Sequence, residues 1–350
     1  MERDELVARI RGGELVSDAN LDGADLAGLD LSGAMLEKVS LRGAKLGGAR
    51  LQESFLDHCD LGGADLAGID LHLTNFVKCS LAGAVLDGAQ MVSVSVIDGS
   101  FAEASFDGAN LTLADFVKTD VSGARMTRCK LDRTNLVNAK TAGLDLSGSV
   151  LKGAVLVRAD LSASKFAGAS FTHVVLTWSN LGGADLRGVD LAFSQLNKTN
   201  LCGADLSLAK LTQCGFMEAD LTGAKLDGAV ADKAIFNQAR LAGASLRGAK
   251  LAHALFLEAD LTEADFAQAD MRQCYLAQAR CQRAQFSGAD LTYADFSHAD
   301  VSSASFLGAT LFRAKLHRVE DRGTQWGAGR ATALGDEADL AEAEDWYSLH

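Results

Sequence analysis

From Leu21 to Leu316 every fifth residue is a centre position, with no insertion or deletion across 60 successive units. Leu fills 38 of these centres, Phe 13, Met three and Val three, leaving Thr141, Ala231 and Cys281 as exceptions. A period of five matches neither the 3.6 of a helix nor the 2 of a strand. The chain therefore cannot be a plain helix bundle or an ordinary sheet. Each five-residue unit is best read as one short side of a coil that repeats many times.

Two residues before each centre stands a small side chain, as at Ala24, Ala64, Ala184 and Ala289. Ala holds 38 of these 60 places, and Leu29, Ile69 and Leu144 are the oversized cases. The unit reads Ala-(Asp/Asn)-Leu-x-x, as in Ala24-Asp25-Leu26-Ala27-Gly28. Alternation over three strand residues turns the small residue and the centre inward and the residue between them outward. Proline is absent. It lacks the N–H that a sheet ladder needs, so its absence suits a chain hydrogen-bonded along most of its length.

This pattern resembles the pentapeptide-repeat family over about Ala19 to Arg318. The resemblance implies an all-β fold, a right-handed quadrilateral β-helix with four units per coil and hence about 15 coils. Short helical caps or tails are expected at the ends: an N-terminal cap over residues 1–18, repeats over 19–318, and an acidic cap or tail over 319–350.

If one lap takes four units, positions four units apart stack. Of the 13 centre Phe, 11 then fall on two opposite sides, one holding Phe106, Phe166, Phe266, Phe286 and Phe306 and the other Phe76, Phe116, Phe216, Phe236, Phe256 and Phe296. Ala231 precedes Phe236 and Cys281 precedes Phe286, as volume compensation within a close-packed layer requires. Outward charges alternate in sign along files such as Asp220, Arg240, Asp260, Arg280 and Asp300, the arrangement that favours neighbouring strands.

The side with centres Leu36, Leu56, Phe76 and onward to Leu316 breaks the outward-polar rule. The residue before the centre is Met35, Phe55, Val155, Val175, Ile235, Leu255 or Tyr275. The residue after it is Val77, Ile97, Val117, Val137, Val157, Met217 or Leu257. Large apolar residues thus take 14 of 30 outward places here, against none, two and four of 30 on the other three sides. One flanking corner adds Leu73, Leu113, Phe193 and Tyr293. The other is basic and amide-rich, with Lys38, His58, Lys78, Lys118, Arg158, Lys198 and Arg318, and Trp178 among them. A contiguous exposed apolar patch marks an interaction site, so this fourth side is expected to bind a partner protein, a second copy, or the chain's own tail. The bland reading is that β-branched residues simply favour strands; the one-sidedness is what that reading explains badly.

At the N-terminus Leu6, Val7 and Ile10 recur at helical spacing between Asp4 and Arg11, with Gly12-Gly13 as the break. After Val319 the five-residue register is expected to lapse, with an irregular stretch over 320–333 and an acidic helix over Asp336 to Tyr347 carrying Leu340, Trp346 and Tyr347. That tail either caps the last coil or docks on the basic-edged side. No basic region precedes an apolar stretch at the start, and no run approaches about 18 apolar residues. No membrane contact and a cytoplasmic location are expected.

Chemistry-bearing motifs are sparse. Histidines 58, 72, 173, 253, 298, 317 and 350 show no paired-ligand spacing. Cysteines 59, 79, 129, 214 and 274 hold the small inward place and Cys281 is a centre, so they read as core spacers. The many Asp are repeat residues, and the glycines are corners with no helix to cradle a phosphate. No catalytic residue, metal, cofactor or small-molecule substrate is expected, and the chain reads as a non-enzymatic scaffold.

The family resemblance implies two more specific roles. One is an adaptor associated with bacterial secretion. The other is a DNA mimic that binds a type II topoisomerase, which the net charge of −13 invites. That charge is badly placed for mimicry, because the two ends carry most of it and no long anionic stripe emerges along the repeats. Direct nucleic-acid binding is not indicated either, since Asp98, Glu218 and Glu258 interrupt the basic corner.

Overall fold

A computed structural model describes residues 1–348, so His350 lies outside the described residues. The chain forms two compact units, Met1–Asn180 and Leu181–His350. Both are parallel β-solenoids in which one lap takes four of the five-residue repeats. In the first unit, Leu15 pairs with Met35, Asn20 with Ser40, Asp25 with Lys45 and Asp30 with Arg50, so one lap contributes to four ladders. The second unit repeats the pattern, with Asp185 on Asp205, Asp190 on Lys210, Gln195 on Gly215 and Asn200 on Asp220.

The local chemistry of the repeat explains the lap. The small residue closes each corner by donating its N–H to the centre three residues back, as Ala24 does to Leu21 at 3.1 Å. The centre residue donates onward to the next lap, Leu21 to the Ser40 carbonyl at 2.7 Å. The Asp or Asn before the centre accepts the N–H two residues on, as Asp60 does from Gly62 at 2.9 Å and Asp265 from Ala267 at 2.9 Å. This local turn is the reason the motif prefers Asp and Asn there.

Inside, centres and small residues are almost fully buried. Phe216, Phe236 and Phe256 form a vertical stack with ring centroids 4.8 and 4.9 Å apart, and Phe266, Phe286 and Phe306 another at 5.2 and 4.8 Å. The two stacks meet edge to face at Phe256 and Phe266, 6.0 Å apart, and Phe296, two laps beyond Phe256, meets Phe286 in the same way at 5.7 Å. Edge-to-face contact suits the ring quadrupoles. At several places where Ser, Thr or Cys replaces the small Ala, its side chain donates to a carbonyl of the preceding lap: Thr134 to Leu111 at 2.8 Å, Ser179 to Leu156 at 2.6 Å and Cys214 to Leu191 at 2.8 Å, whereas the buried Ser164 hydroxyl has no partner among the described residues. No buried hydroxyl or thiol at these three places is left without its bond.

On the fourth side of the first unit the ladder widens into three-residue strands: β1 Leu15–Ser17, β2 Met35–Glu37, β3 Phe55–Asp57, β4 Asn75–Val77, β5 Ser95–Ile97 and β6 Asp115–Val117. Helix α1, Arg3–Arg11, precedes them and buries Leu6 and Ile10. Asp4 and Glu5 in its first turn and Arg9 and Arg11 in its last suit the helix dipole. Arg9 also donates to the Leu15 carbonyl at 2.8 Å, satisfying part of the open edge of the first strand.

Pairing runs beyond residues 19–318 at both ends. It starts at Leu15, and it continues after Val319, where the register was expected to lapse. Glu320 pairs with Asp300 and Gln325 with Ser305, each one full lap apart, and Leu334 pairs with Lys315, one residue short of a lap. The Thr324 hydroxyl donates to the Val301 carbonyl at 2.7 Å, as a small inward residue should. The expectation failed because this last lap keeps the geometry with atypical residues: Asp321 and Trp326 hold centre places, and one residue is dropped through the 3-10 turn Ala328–Thr332. Helix α2, Ala338–Ser348, follows.

Candidate interaction surface

The outward places of the fourth side are set by the ladder. In the first unit Val77 lies over Asp57, Ile97 over Val77, and Val117 over Ile97. Val137 and Val157 continue that file, since Asn135 pairs with Asp115 and Val155 with Asn135. In the neighbouring file Leu15, Met35 and Phe55 follow one another, and Val155 pairs with Val175. Phe55 and Ile97 are 46% and 42% exposed, while Val77, Val117, Val137, Val155, Val157 and Val175 are half-buried against their neighbours. Asn75, Ser95, Asp115 and Asn135 interrupt the second file, so the apolar stripe crosses from one file to the other along the unit. Leu15, exposed and paired with Met35, belongs to it too and lies before the expected start of the repeats.

In the second unit Ile235, Leu255 and Tyr275 form one file, with Met217 and Leu257 in the other. Met217 and Tyr275 are exposed, whereas Ile235, Leu255 and Leu257 are half-buried. The amide oxygens of Asn197 and Asn237 accept the N–H groups of Met217 and Leu257 at 3.0 and 3.1 Å, fixing the backbone under those side chains. Phe193 and Tyr293 stand exposed at the corner of this unit, and Trp178 at a corner of the first.

The corners carry a signal that composition alone does not. Every residue of the corner file Asp18, Lys38, His58 and onward to Arg318 has positive φ, between 51° and 67°, and none of the sixteen is glycine. On the opposite flank, Gly13, Gly33 and Gly153 are the only glycines in the file that includes Leu73, Leu113, Phe193 and Tyr293. The remaining two corner files are filled mostly by glycine at the same φ, as at Gly23 and Gly28. A left-handed conformation costs a non-glycine residue about 1–2 kcal/mol. Both flanks of the fourth side thus keep large side chains where glycine would sit with less strain.

Many charges elsewhere are paired, several of them along the ladders. Arg50 meets Asp30 at 2.6 Å, Lys140 meets Asp120 at 3.3 Å, Lys210 meets Asp190 at 3.5 Å and Arg240 meets Asp220 at 3.5 Å. The Arg187 guanidinium, bonded to Asp185, holds that carboxyl at about 2. Burial pushes the Cys129 and Cys214 thiols up to about 12. No helix among the described residues is long and apolar enough to cross a membrane.

Absence of ligand motifs in the linear sequence did not anticipate one cluster. His298, His317 and Glu344 of the second unit bring candidate ligand atoms within 4.8 Å of one another. A signal for half of it was available: two residues separated by one less than a full lap are diagonal neighbours, as His298 and His317 are. Glu344 comes from α2, which no stacking rule places.

A family profile agrees with this architecture. The profile for pentapeptide repeats matches residues 17–52, 56–94, 100–133, 129–168, 169–207, 239–278 and 279–318. Among solved structures, HetL, a pentapeptide repeat protein involved in heterocyst differentiation regulation in the cyanobacterium Nostoc sp. strain PCC 7120, is 25% identical. That match covers 78% of this chain and 100% of HetL, with a TM-score of 0.29. QnrB1, a plasmid-mediated fluoroquinolone resistance protein, is 22% identical over 52% of this chain and 93% of its own, with a TM-score of 0.32. A pentapeptide repeat protein of the Arabidopsis thaliana thylakoid lumen is 31% identical over 29% of this chain and 66% of its own, with a TM-score of 0.23. No curated protein matches. With its profile spread over most of the sequence and its ladders repeating every four units, the chain belongs to the pentapeptide-repeat family.

Proposed function

We propose that this chain is a non-catalytic scaffold that recognises a protein, a different one or a second copy of itself, through the fourth side of its solenoid units. The observation that carries the reading is the coincidence of three features on that side. The outward files are apolar, several of their members are exposed, and both flanking corners hold large side chains in left-handed backbone. Selection for fold stability alone would favour glycine at those corners. A surface that keeps strained residues is one whose side chains are in use. Apolar centres with a polar or charged rim are the anatomy of a protein interface.

A mimic of DNA, offered to a type II topoisomerase, is the competing reading. It needs a run of unpaired acids along the surface. The ion pairs along the ladders, such as Arg50 with Asp30 and Arg240 with Asp220, speak for the protein-binding alternative.

The test is site-specific photocrosslinking in cells. A crosslinking amino acid replaces Val117 or Met217 on the fourth side, or Asp65 or Asp205 on another. Discrete adducts from the first pair alone are expected, and Val137→Lys with Val157→Lys, introduced beside the crosslinker at position 117, should remove its adducts while leaving the folded ladder intact. Adducts of equal yield from all sides, or none from the fourth, would overturn the proposal.

A further inference from the structure

We propose that His298, His317 and Glu344 form a divalent transition-metal site, of the kind zinc occupies, that latches α2 onto the last laps of the second unit. His298 and His317 lie on adjacent laps, and their backbones are tied by a bond from the His298 N–H to the His317 carbonyl at 2.9 Å. Their rings meet edge to face with centroids 5.4 Å apart. Both Nε2 atoms point at the same carboxylate: His298 Nε2 is 3.2 Å from Glu344 Oε1, and His317 Nε2 is 3.3 Å from Glu344 Oε2.

Zinc binds imidazole nitrogen at about 2.0–2.1 Å and carboxylate oxygen at about 2.0–2.2 Å, and in tetrahedral sites this puts neighbouring ligand atoms about 3.3 Å apart. The two His–Glu separations already have that spacing. Two imidazoles and one carboxylate with a fourth position open to water is a donor set that suits zinc and its neighbours better than calcium or magnesium.

The surroundings favour a cation. Asp336, Glu337, Glu344 and Asp345 crowd the site, against the positive charges of Lys315 and Arg318. The His317 side chain is only 2% exposed, so it is held by packing and not by solvent.

The metal-free state has its own hydrogen bonds, which the ion must displace. His317 Nδ1 accepts the Glu337 N–H at 3.1 Å, so its proton resides on Nε2 and is shared with Glu344. On metal uptake Nε2 gives its lone pair to the ion and the proton resides on Nδ1. The Asp336 carboxylate, whose Oδ1 is 3.8 Å from Nδ1, is placed to accept it once the Glu337 N–H turns away. A carboxylate behind a ligating histidine fixes the ring and raises its basicity. Any proton on an imidazolium is released to solvent as the ion binds, so affinity falls with acid.

The test uses the full chain without a purification tag, stripped with a chelator. Titration with Co²⁺ should give the visible absorption of a tetrahedral centre at one equivalent, and Zn²⁺ should displace it. His298→Asn, at an exposed corner, and Glu344→Gln should each weaken binding at least tenfold. Zinc should slow hydrogen exchange across residues 338–348 in the parent chain and not in either variant. Absence of saturable uptake at micromolar metal, or uptake that both variants retain, would overturn the site and leave His298, His317 and Glu344 as a hydrogen-bonded triad only.

Discussion

Trp326 lies flat on Phe306, with ring centroids 4.7 Å apart and planes 19° from parallel. One lap separates them, so the indole extends the Phe266–Phe286–Phe306 stack by one more ring, and its Nε1 donates to Asp321 at 3.0 Å. Arg330 covers the indole from 5.5 Å. The open end of a solenoid exposes core and strand edges, and terminal units must cover both. Here the last lap does so with a ring that continues the core.

Trp326→Ala should therefore destabilise the C-terminal laps by about 2 kcal/mol, less than a fully buried aromatic because the ring is half-exposed. Hydrogen exchange should speed up around Val301 to Gln325 and leave the laps near Leu206 unchanged, because each lap contacts only its neighbours. Uniform acceleration along the second unit would contradict this role.

Ala231 stands where most units carry Leu, in the lap that contains Phe236, and both are fully buried. Restoring the common residue should harm the protein: Ala231→Leu forces extra volume into a packed layer at a cost of about 1–3 kcal/mol. Denaturant midpoints would read it. A more stable Ala231→Leu variant would show that the layer holds spare room.

Lys118 sits at φ 52° on the basic corner. Lys118→Gly relieves about 1–2 kcal/mol of left-handed strain and adds about 0.5–1 kcal/mol of unfolded-state entropy. The variant should be slightly more stable, by about 0.5 kcal/mol, and should bind its partner less well. Higher stability with undiminished crosslinking at Val117 would argue that this corner is not part of the interface.

Several carboxyls ionise below their ordinary range. The Ser32 and Ser162 hydroxyls, ahead of the backbone N–H groups of the same residues, lower Asp30 and Asp160, and Arg187 brings Asp185 to about 2. A depressed carboxyl stabilises the fold fully above its unfolded value near 3.8, and that contribution is lost as pH falls through the folded value. Stability should be flat from neutral pH down to about 5 and decline below about 4. In Arg187→Ala the Asp185 carboxyl should titrate closer to 3.8, read by carbon NMR of the side chain; an unmoved titration would mean that solvent screens the pair.

Of the seven cysteines, six are buried and Cys202 is exposed. Burial raises Cys129 and Cys214 to about 12, so neither supplies thiolate at pH 8. Iodoacetamide at pH 8 should label the native chain at Cys202 alone, with the remaining six reacting only after denaturation. Rapid labelling of Cys214 in the native state would reveal opening of the core that these ladders do not accommodate.

Much of the fold was legible because its rules are local and repeated. The unit Ala24-Asp25-Leu26-Ala27-Gly28 contains its own inward pair, its turn acceptor and its corner, and each copy sees the same neighbours one lap away. The files through Val117 and through Leu255 could be read for the same reason. The charge of each outward place was legible too, though which Arg meets which Asp depended on side-chain reach: Arg50 pairs back with Asp30 on the preceding lap, while Arg42 pairs forward with Asp60 on the next.

Sequence by itself determined the five-residue unit and its inward and outward places, and the four-unit lap that the family resemblance implies then gave the apolar side, because hydrophobic burial and backbone pairing act identically on every unit. The tertiary structure alone decided where periodicity stops ruling. It carried the ladder through Thr324 and Trp326 to Leu334, revealed that the corner residues beside the apolar side are held at positive φ, and folded α2 back so that Glu344 reaches His298, far away along the chain. A segment without a repeat has no copy beneath it to stack upon, so its position follows from the particular side chains it meets and not from counting.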